Sequence, residues 1–110
     1  QTAIVTGGSR GIGKAIALHL STQGFNIVLS FKKDEKAAAQ VVSDIQKSGG
    51  AAEMIRADLS LADSANDITR TTIERFGRID VLINNAGVSS NKSLIADTPD
   101  LEWNEIIEVN

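Results

Sequence analysis

The chain of 110 residues has no cysteine, which excludes a disulfide framework and a thiolate metal site and is compatible with a reducing cytoplasm, the compartment expected here. It has no apolar run near the roughly 20 residues that a membrane span requires. Its apolar stretches resemble Ala3-Ile4-Val5 and Ile27-Val28-Leu29, and no signal-type segment opens it. Positive charge is scarce: 11 Lys and Arg stand against 14 Asp and Glu, for a net charge of −3. No Lys/Arg patch of the kind that holds a phosphate backbone is assembled, so neither nucleic acid nor membrane is an expected partner. Histidine occurs once, as His19, at a surface position of a helical pattern, and no His/Asp/Glu cluster points to a metal. Tyrosine is absent altogether, so these residues hold no phenol for proton transfer.

What remains is a chain with 42% hydrophobic residues, enough for one modest core. Short β-branched runs alternate with longer stretches of helical period, the pattern of βαβ units. Strands are expected at Thr2–Thr6, Asn26–Phe31, Ala51–Arg56 and Asp80–Asn84, each apolar enough to be buried on both faces. Helices are expected at Ile12–Gln23, Asp34–Ser48 and Leu61–Phe76, closed by Gly24, by Gly49-Gly50 and by Gly77. In the second helix Ala38, Val41, Val42 and Ile45 form the inward stripe, leaving Lys36, Gln40, Asp44 and Lys47 wet. In the third, Ser60 and Asp63 stand at capping-box spacing, with Ala65, Ile68, Thr72 and Phe76 inward. Thr98-Pro99 reads as the N-cap and first residue of a fourth helix running through Trp103 to Asn110.

No repeat or linker divides the chain, so residues 1–110 read as a single dinucleotide-binding domain, incomplete at its C-terminus. Gln1 in place of Met, and Asn110 within a helical pattern, point to cut ends. Right-handed crossovers then give a Rossmann-type doubly wound α/β fold, truncated to four parallel strands in the order 3-2-1-4 with flanking helices. Its ligand crevice is expected at the carboxyl ends of strands one and four.

The segment Thr6-Gly7-Gly8-Ser9-Arg10-Gly11-Ile12-Gly13 lies between the first strand and the first helix, the context a dinucleotide-binding loop requires. Gly7 lets the chain turn off the strand, Gly11 clears the approach of a pyrophosphate, and Gly13 lets the helix lie close on the sheet. The helix start supplies oriented N–H donors. An isolated glycine triplet would be only a turn, but further features stand in order behind this one.

Three residues separate the first two motif glycines, and the loop resembles the T-G-x-x-x-G-x-G of short-chain dehydrogenases/reductases. The likeness extends along the chain through Asp58-Leu59, Asn84-Asn85-Ala86-Gly87 and Trp103…Val109-Asn110. The resemblance implies that Asp58 accepts from the adenine amino group and that the Leu59 N–H reads a ring nitrogen. It implies that Asn85, Ala86 and Gly87 line the adenine-ribose side of the crevice, with the Asn-Asn turn tying neighbouring strands. It implies that Asn110 interrupts a helix and holds a water of the proton relay through its carbonyl, making it the one catalytic position reached. The Ser/Tyr/Lys group of the family matches no residue here, and Ser89, Ser90 and Lys92 are not substitutes. The family's members usually pair into homo-oligomers, dimers or tetramers.

The residue ending strand two separates the cofactors, because a carboxylate there accepts from the ribose 2′-hydroxyl of NAD and repels the 2′-phosphate of NADP. That position falls near Phe31, which is not acidic; Lys32 and Lys33 follow, and Arg10 projects from the loop toward them. These cations favour NADP(H). Asp34, the NAD-type alternative, reads as the cap of the second helix. The expectation is an NADP(H)-binding portion of an oxidoreductase acting on a small carbonyl or alcohol substrate, with NAD(H) the alternative cofactor. A non-catalytic dinucleotide-binding module and an S-adenosylmethionine-dependent methyltransferase are the competing readings, and the second leaves the Asn-Asn turn and the Arg10/Lys32 pair without a role.

Overall fold

The computed structural model describes residues 1–58, 62–85 and 105–108, with side chains described at 1–58, 66–85 and 107. In chain order the elements are β1 (Thr2–Val5), α1 (Gly11–Thr22), β2 (Asn26–Phe31), α2 (Glu35–Lys47), β3 (Ala52–Arg56), α3 (Ala62–Phe76), β4 (Val81–Asn84) and β5 (Glu105–Glu108). The four expected strands pair in parallel in the expected order 3-2-1-4, and β5 extends the sheet beyond β4. Among the described residues no helix is long and apolar enough to cross a membrane.

Period-two alternation distributes the core over both faces of the sheet. Ala3 and Val5, Ile27, Leu29 and Phe31, and Val81 and Ile83 point to one face, where they meet Ala17 of α1 and Ala38, Val41 and Ile45 of α2. Ile4, Val28 and Leu82, the residues between them, point to the other face and pack with Ile68 of α3, Ala57 and Ile79. Alternation along β1, with Ala3 and Val5 on one face and Ile4 on the other, thus divides α1 and α2 from α3. The inward stripe of α2 is as expected, with Val42 half-buried, and Lys36, Gln40 and Lys47 are exposed while Asp44 is half-buried. On α3, Ile68 and Thr72 are buried, and the Thr72 hydroxyl donates to the Ile68 carbonyl at 2.7 Å, which satisfies it without a tertiary partner. Ser60 and Leu61, and the side chains of Asp63 and Ala65, lie outside the described residues.

Two expectations are corrected. β3 is not buried on both faces: Glu53, Met54 and Ile55 are half-buried and Arg56 is exposed, because β3 is an edge strand with a neighbour on one side only. The helical reading of the Trp103–Asn110 segment fails at Glu105–Glu108, which form a strand in register with β4 from Val81↔Glu105 to Asn84↔Glu108. An open β4 edge presents a row of unpaired N–H and C=O groups, and the β-branched Ile106-Ile107 pair suits the strand that satisfies them. Thr98, Pro99, Leu101, Trp103 and Asn110 lie outside the described residues.

At the amino end of the sheet one carboxylate joins β1 to the approach of β4. Asp80, 3% exposed, accepts from the Thr2 N–H at 2.8 Å and from Arg78 Nε at 2.8 Å through one oxygen, and from Arg78 Nη2 at 2.6 Å through the other. The two-pronged Arg78 contact, helped by the Thr2 N–H and opposed by burial, holds the carboxyl below its ordinary pKa. A carboxyl depressed in the folded state contributes stability above its unfolded pKa, and that stability is lost as pH falls through the folded value. Asp80→Ala leaves the Thr2 N–H without its side-chain acceptor and is expected to cost about 2 kcal/mol at neutral pH. The gap between wild type and variant in urea denaturation should narrow below about pH 4; a gap that is constant down to acid pH would show that this carboxylate does not anchor the sheet.

Candidate functional site

At the opposite, carboxyl end of β1 the chain leaves the sheet at Thr6 and enters the glycine turn. Gly7 sits at φ 65°, in the left-handed region where glycine carries no steric penalty. The turn is held from both flanks. On the β2 side, the Gly7 N–H donates to Ser30 Oγ at 3.2 Å and the Gly8 N–H to the Ser30 carbonyl at 3.1 Å. On the β4 side, the Thr6 N–H donates to the Ile83 carbonyl at 3.0 Å, and Thr6 Oγ1 accepts the Asn85 N–H at 2.9 Å. Asn85 Nδ2 then donates to the Gly7 carbonyl at 3.1 Å, closing the turn against the end of β4.

The glycines differ in what they do. A Cβ on Gly8 would lie 2.8 Å from Leu29 Cβ, so Gly8, absent from the sequence reading as a packing residue, is the one pressed against the sheet. A Cβ on Gly13 would lie 2.3 Å from the Gly7 carbonyl oxygen and 2.5 Å from Asn85 Nδ2. Gly13 therefore permits the helix to close on the turn and on Asn85, which corrects the expectation that it serves contact with the sheet. A Cβ on Gly11, at φ 55°, would meet nothing within 4 Å: its face of the turn is open.

That open face is also where α1 begins. Its N-cap is Arg10, extended at φ −146° and ψ 165°, with no side-chain cap hydrogen bond and no acidic residue in the first turn. The first-turn N–H groups of Gly11, Ile12 and Gly13 thus receive no capping side chain among the described residues, and the positive end of the helix dipole lies there. A phosphate group fits this arrangement. Ile12 is exposed beside it and Ser9 is half-buried in the turn.

Beyond the end of β2 the charged groups are paired. Phe31 is buried, and the carbonyl of Lys32 accepts from Arg56 Nη1 at 3.2 Å while the Arg56 guanidinium lies 5.1 Å from the Phe31 ring centre. Arg10 Nη2 stands 2.7 Å from Asp34 Oδ2, and Lys32 Nζ stands 3.8 Å from Asp58 Oδ2. Asp34 Oδ1 accepts the Ala37 N–H at 3.0 Å, as expected of a helix cap. Arg10 and Lys32 do flank the end of β2, but each rests on a carboxylate. Sequence reasoning missed Ser30 and Arg56; the only signals were a hydroxyl inside the apolar run Asn26–Phe31 and a cation closing β3. Leu59, Ala86, Gly87 and Asn110 lie outside the described residues. His19 is exposed, away from the turn. A separate cleft of about 630 Å³, lined in part by Phe25, Asn26, Asp44 and Ser48, opens at the amino end of the sheet and includes none of the expected site residues.

A strand, a glycine turn and an uncapped helix start, set where the strand order reverses, define a dinucleotide-binding α/β protein of the Rossmann type. The family model for short chain dehydrogenase matches residues 1–110. The chain belongs to that family of oxidoreductases. It is 40% identical over its whole length to a 3-oxoacyl-[acyl-carrier-protein] reductase from Synechocystis, of which it covers 44%. A short chain dehydrogenase from Burkholderia cenocepacia, solved in complex with NADP, matches 78% of this chain at 40% identity with a TM-score of 0.75, the match covering 35% of that structure. A 7α-hydroxysteroid dehydrogenase complexed with NADH and a 7-oxo bile acid matches 80% at 38% identity with a TM-score of 0.76, covering 34% of that structure. The chain therefore spans less than half the length of these relatives.

Gly13→Ala is expected to cost about 1–3 kcal/mol, since either the Gly7 carbonyl or Asn85 must move. Gly11→Ala, strained only in its own backbone, should cost about 1–2 kcal/mol and leave the Asn85 contact intact. Thermal denaturation of both variants, with dinucleotide binding measured alongside, checks this; unchanged stability of Gly13→Ala would overturn its packing role, and full dinucleotide binding by Gly11→Ala would overturn the place of Gly11 beneath the pyrophosphate.

Proposed function

We propose that this chain is the NADP(H)-binding portion of an oxidoreductase that moves hydride between NADPH and a small carbonyl or alcohol substrate. The observation that carries the reading is the open, uncapped start of α1, with the turn's other donors already committed to Ser30. Ser9, Gly11, Ile12 and Gly13 would hold the pyrophosphate through backbone N–H groups, and Gly7, whose own N–H is bound to Ser30, would contribute the turn that brings them to it. Asp58 and the Leu59 N–H would take the adenine edge, and Asn85, Ala86 and Gly87 the ribose side of the crevice. Arg10 and Lys32 would take the 2′-phosphate, with Phe31 supplying no opposing carboxylate. The bound cofactor supplies the hydride. These residues bind and orient it, and Asn110 would hold a water of the proton relay.

Support for NADP(H) over NAD(H) comes from the cations beside β2, and solved relatives with each cofactor keep NAD(H) as the alternative. The name of the Synechocystis relative makes a 3-oxoacyl thioester the first substrate class to try in a longer protein containing this chain. Binding without turnover is the second reading, favoured by the complete absence of tyrosine from these residues.

Fluorescence titration should find NADPH bound about tenfold more tightly than NADH, the scale of one charge-assisted hydrogen bond. Arg10→Ala should remove most of that difference while weakening NADH little. Equal affinities in the wild-type chain, or a preference untouched by Arg10→Ala, would sink the NADP(H) assignment, and binding of S-adenosylmethionine in place of either would sink the oxidoreductase reading.

A further inference from the structure

We propose that Asp34 sets how strongly the chain distinguishes NADP(H) from NAD(H), by competing with the cofactor's 2′-phosphate for Arg10. The inference rests on the cofactor site proposed above and deepens it. Asp34 uses its two oxygens for different tasks: Oδ1 accepts the Ala37 N–H at 3.0 Å and caps α2, while Oδ2 holds Arg10 Nη2 at 2.7 Å. The cap hydrogen bond favours this position of the carboxylate, so it stays beside the arginine when that takes another partner. Arg10 is on a long, exposed stem, its side chain 71% accessible against 35% for Asp34. The pair is thus a mobile cation resting on an anchored anion.

An exposed pair of this kind contributes little to folding stability. Its weight falls on binding. A 2′-phosphate that docks on Arg10 must share the guanidinium with a carboxylate already there, and its own negative charge then lies within a few ångströms of Asp34. A 2′-hydroxyl brings no charge and meets no such opposition. The same arrangement is repeated once beside it, where Lys32 Nζ lies 3.8 Å from Asp58 Oδ2. Arg56 braces Lys32 through its carbonyl and itself stands 4.0 Å from Glu35. Of the charged groups bordering the end of β2, the cations Arg10, Lys32 and Arg56 thus stand against the anions Asp34, Asp58 and Glu35, which offset part of their charge. Asp34 is the one among these anions that touches Arg10, and it is a positioning residue: it acts on the cofactor through the arginine.

Asparagine and serine both serve as helix caps, so Asp34→Asn and Asp34→Ser remove the charge while keeping an acceptor for Ala37. Calorimetric titration of the full chain with NADP+, NAD+ and adenosine 2′,5′-bisphosphate reads the effect. Either variant should tighten NADP+ and the bisphosphate about fivefold, the scale of one charge pair a few ångströms apart in a largely aqueous setting, with NAD+ unchanged or weaker. The gain should shrink at high salt and vanish in an Arg10→Ala background. A purely structural cap would move the affinities for NADP+ and NAD+ together. If Arg10→Ala lowers the NADP+/NAD+ ratio but neither Asp34 variant raises it, the competition is overturned and the cofactor reading stands. A rise of equal size with Arg10 absent also overturns it. If Arg10→Ala itself leaves the ratio unchanged, both fall together.

Discussion

β1 is buried on both faces and flanked on both edges, so the chain cannot leave it with backbone groups unmet. Five hydrogen bonds at its carboxyl end answer that constraint: Thr6 to the Ile83 carbonyl, Gly7 and Gly8 to Ser30, and Asn85 to Thr6 Oγ1 and to the Gly7 carbonyl. They draw on both the β2 and the β4 side, which sets the turn over the reversal in strand order. Every donor spent in this way is a donor fixed in space. The ones left over, at the start of α1, follow directly from that turn and have no side-chain cap.

Charge is handled differently at the two ends of the sheet. At the amino end Asp80 is buried and saturated, with Arg78 and Thr2 filling its acceptor positions, and its role is to hold strands together. At the carboxyl end the ion pairs are exposed, longer or single-contact. The first arrangement resists change and the second permits exchange. The same residue types are therefore buried and multiply bonded at one end and exposed at the other.

Most of the architecture was legible because its signals are local. Alternation in Ala3-Ile4-Val5, the stripe from Ala38 to Ile45 and glycines after each helix are properties of short windows, and β2 runs from Asn26 to Phe31 as the pattern predicts. The failures are tertiary. That β3 is an edge depends on what lies beyond it, and pairing with β4 outweighs the helical spacing of Glu105–Glu108. In the site, Gly7 and Gly11 were legible from the loop alone, and the cap at Asp34 from the helix it precedes. Gly13 was assigned the wrong neighbour, since Asn85 lies 72 positions along the chain. Ser30 was missed because a hydroxyl in a strand gives no sign of which distant amide it will accept.

The division of donors within the turn has a kinetic counterpart. The amide protons of Gly7 and Gly8 are bonded to a buried serine, whereas those of Gly11 and Ile12 stand at an uncapped helix start open to water. Hydrogen exchange at the first pair tracks opening of the sheet itself, and at the second pair it tracks only whether something sits on the helix. Two sets of protons four residues apart thus keep separate clocks, one for the integrity of the fold and one for contacts at the start of α1.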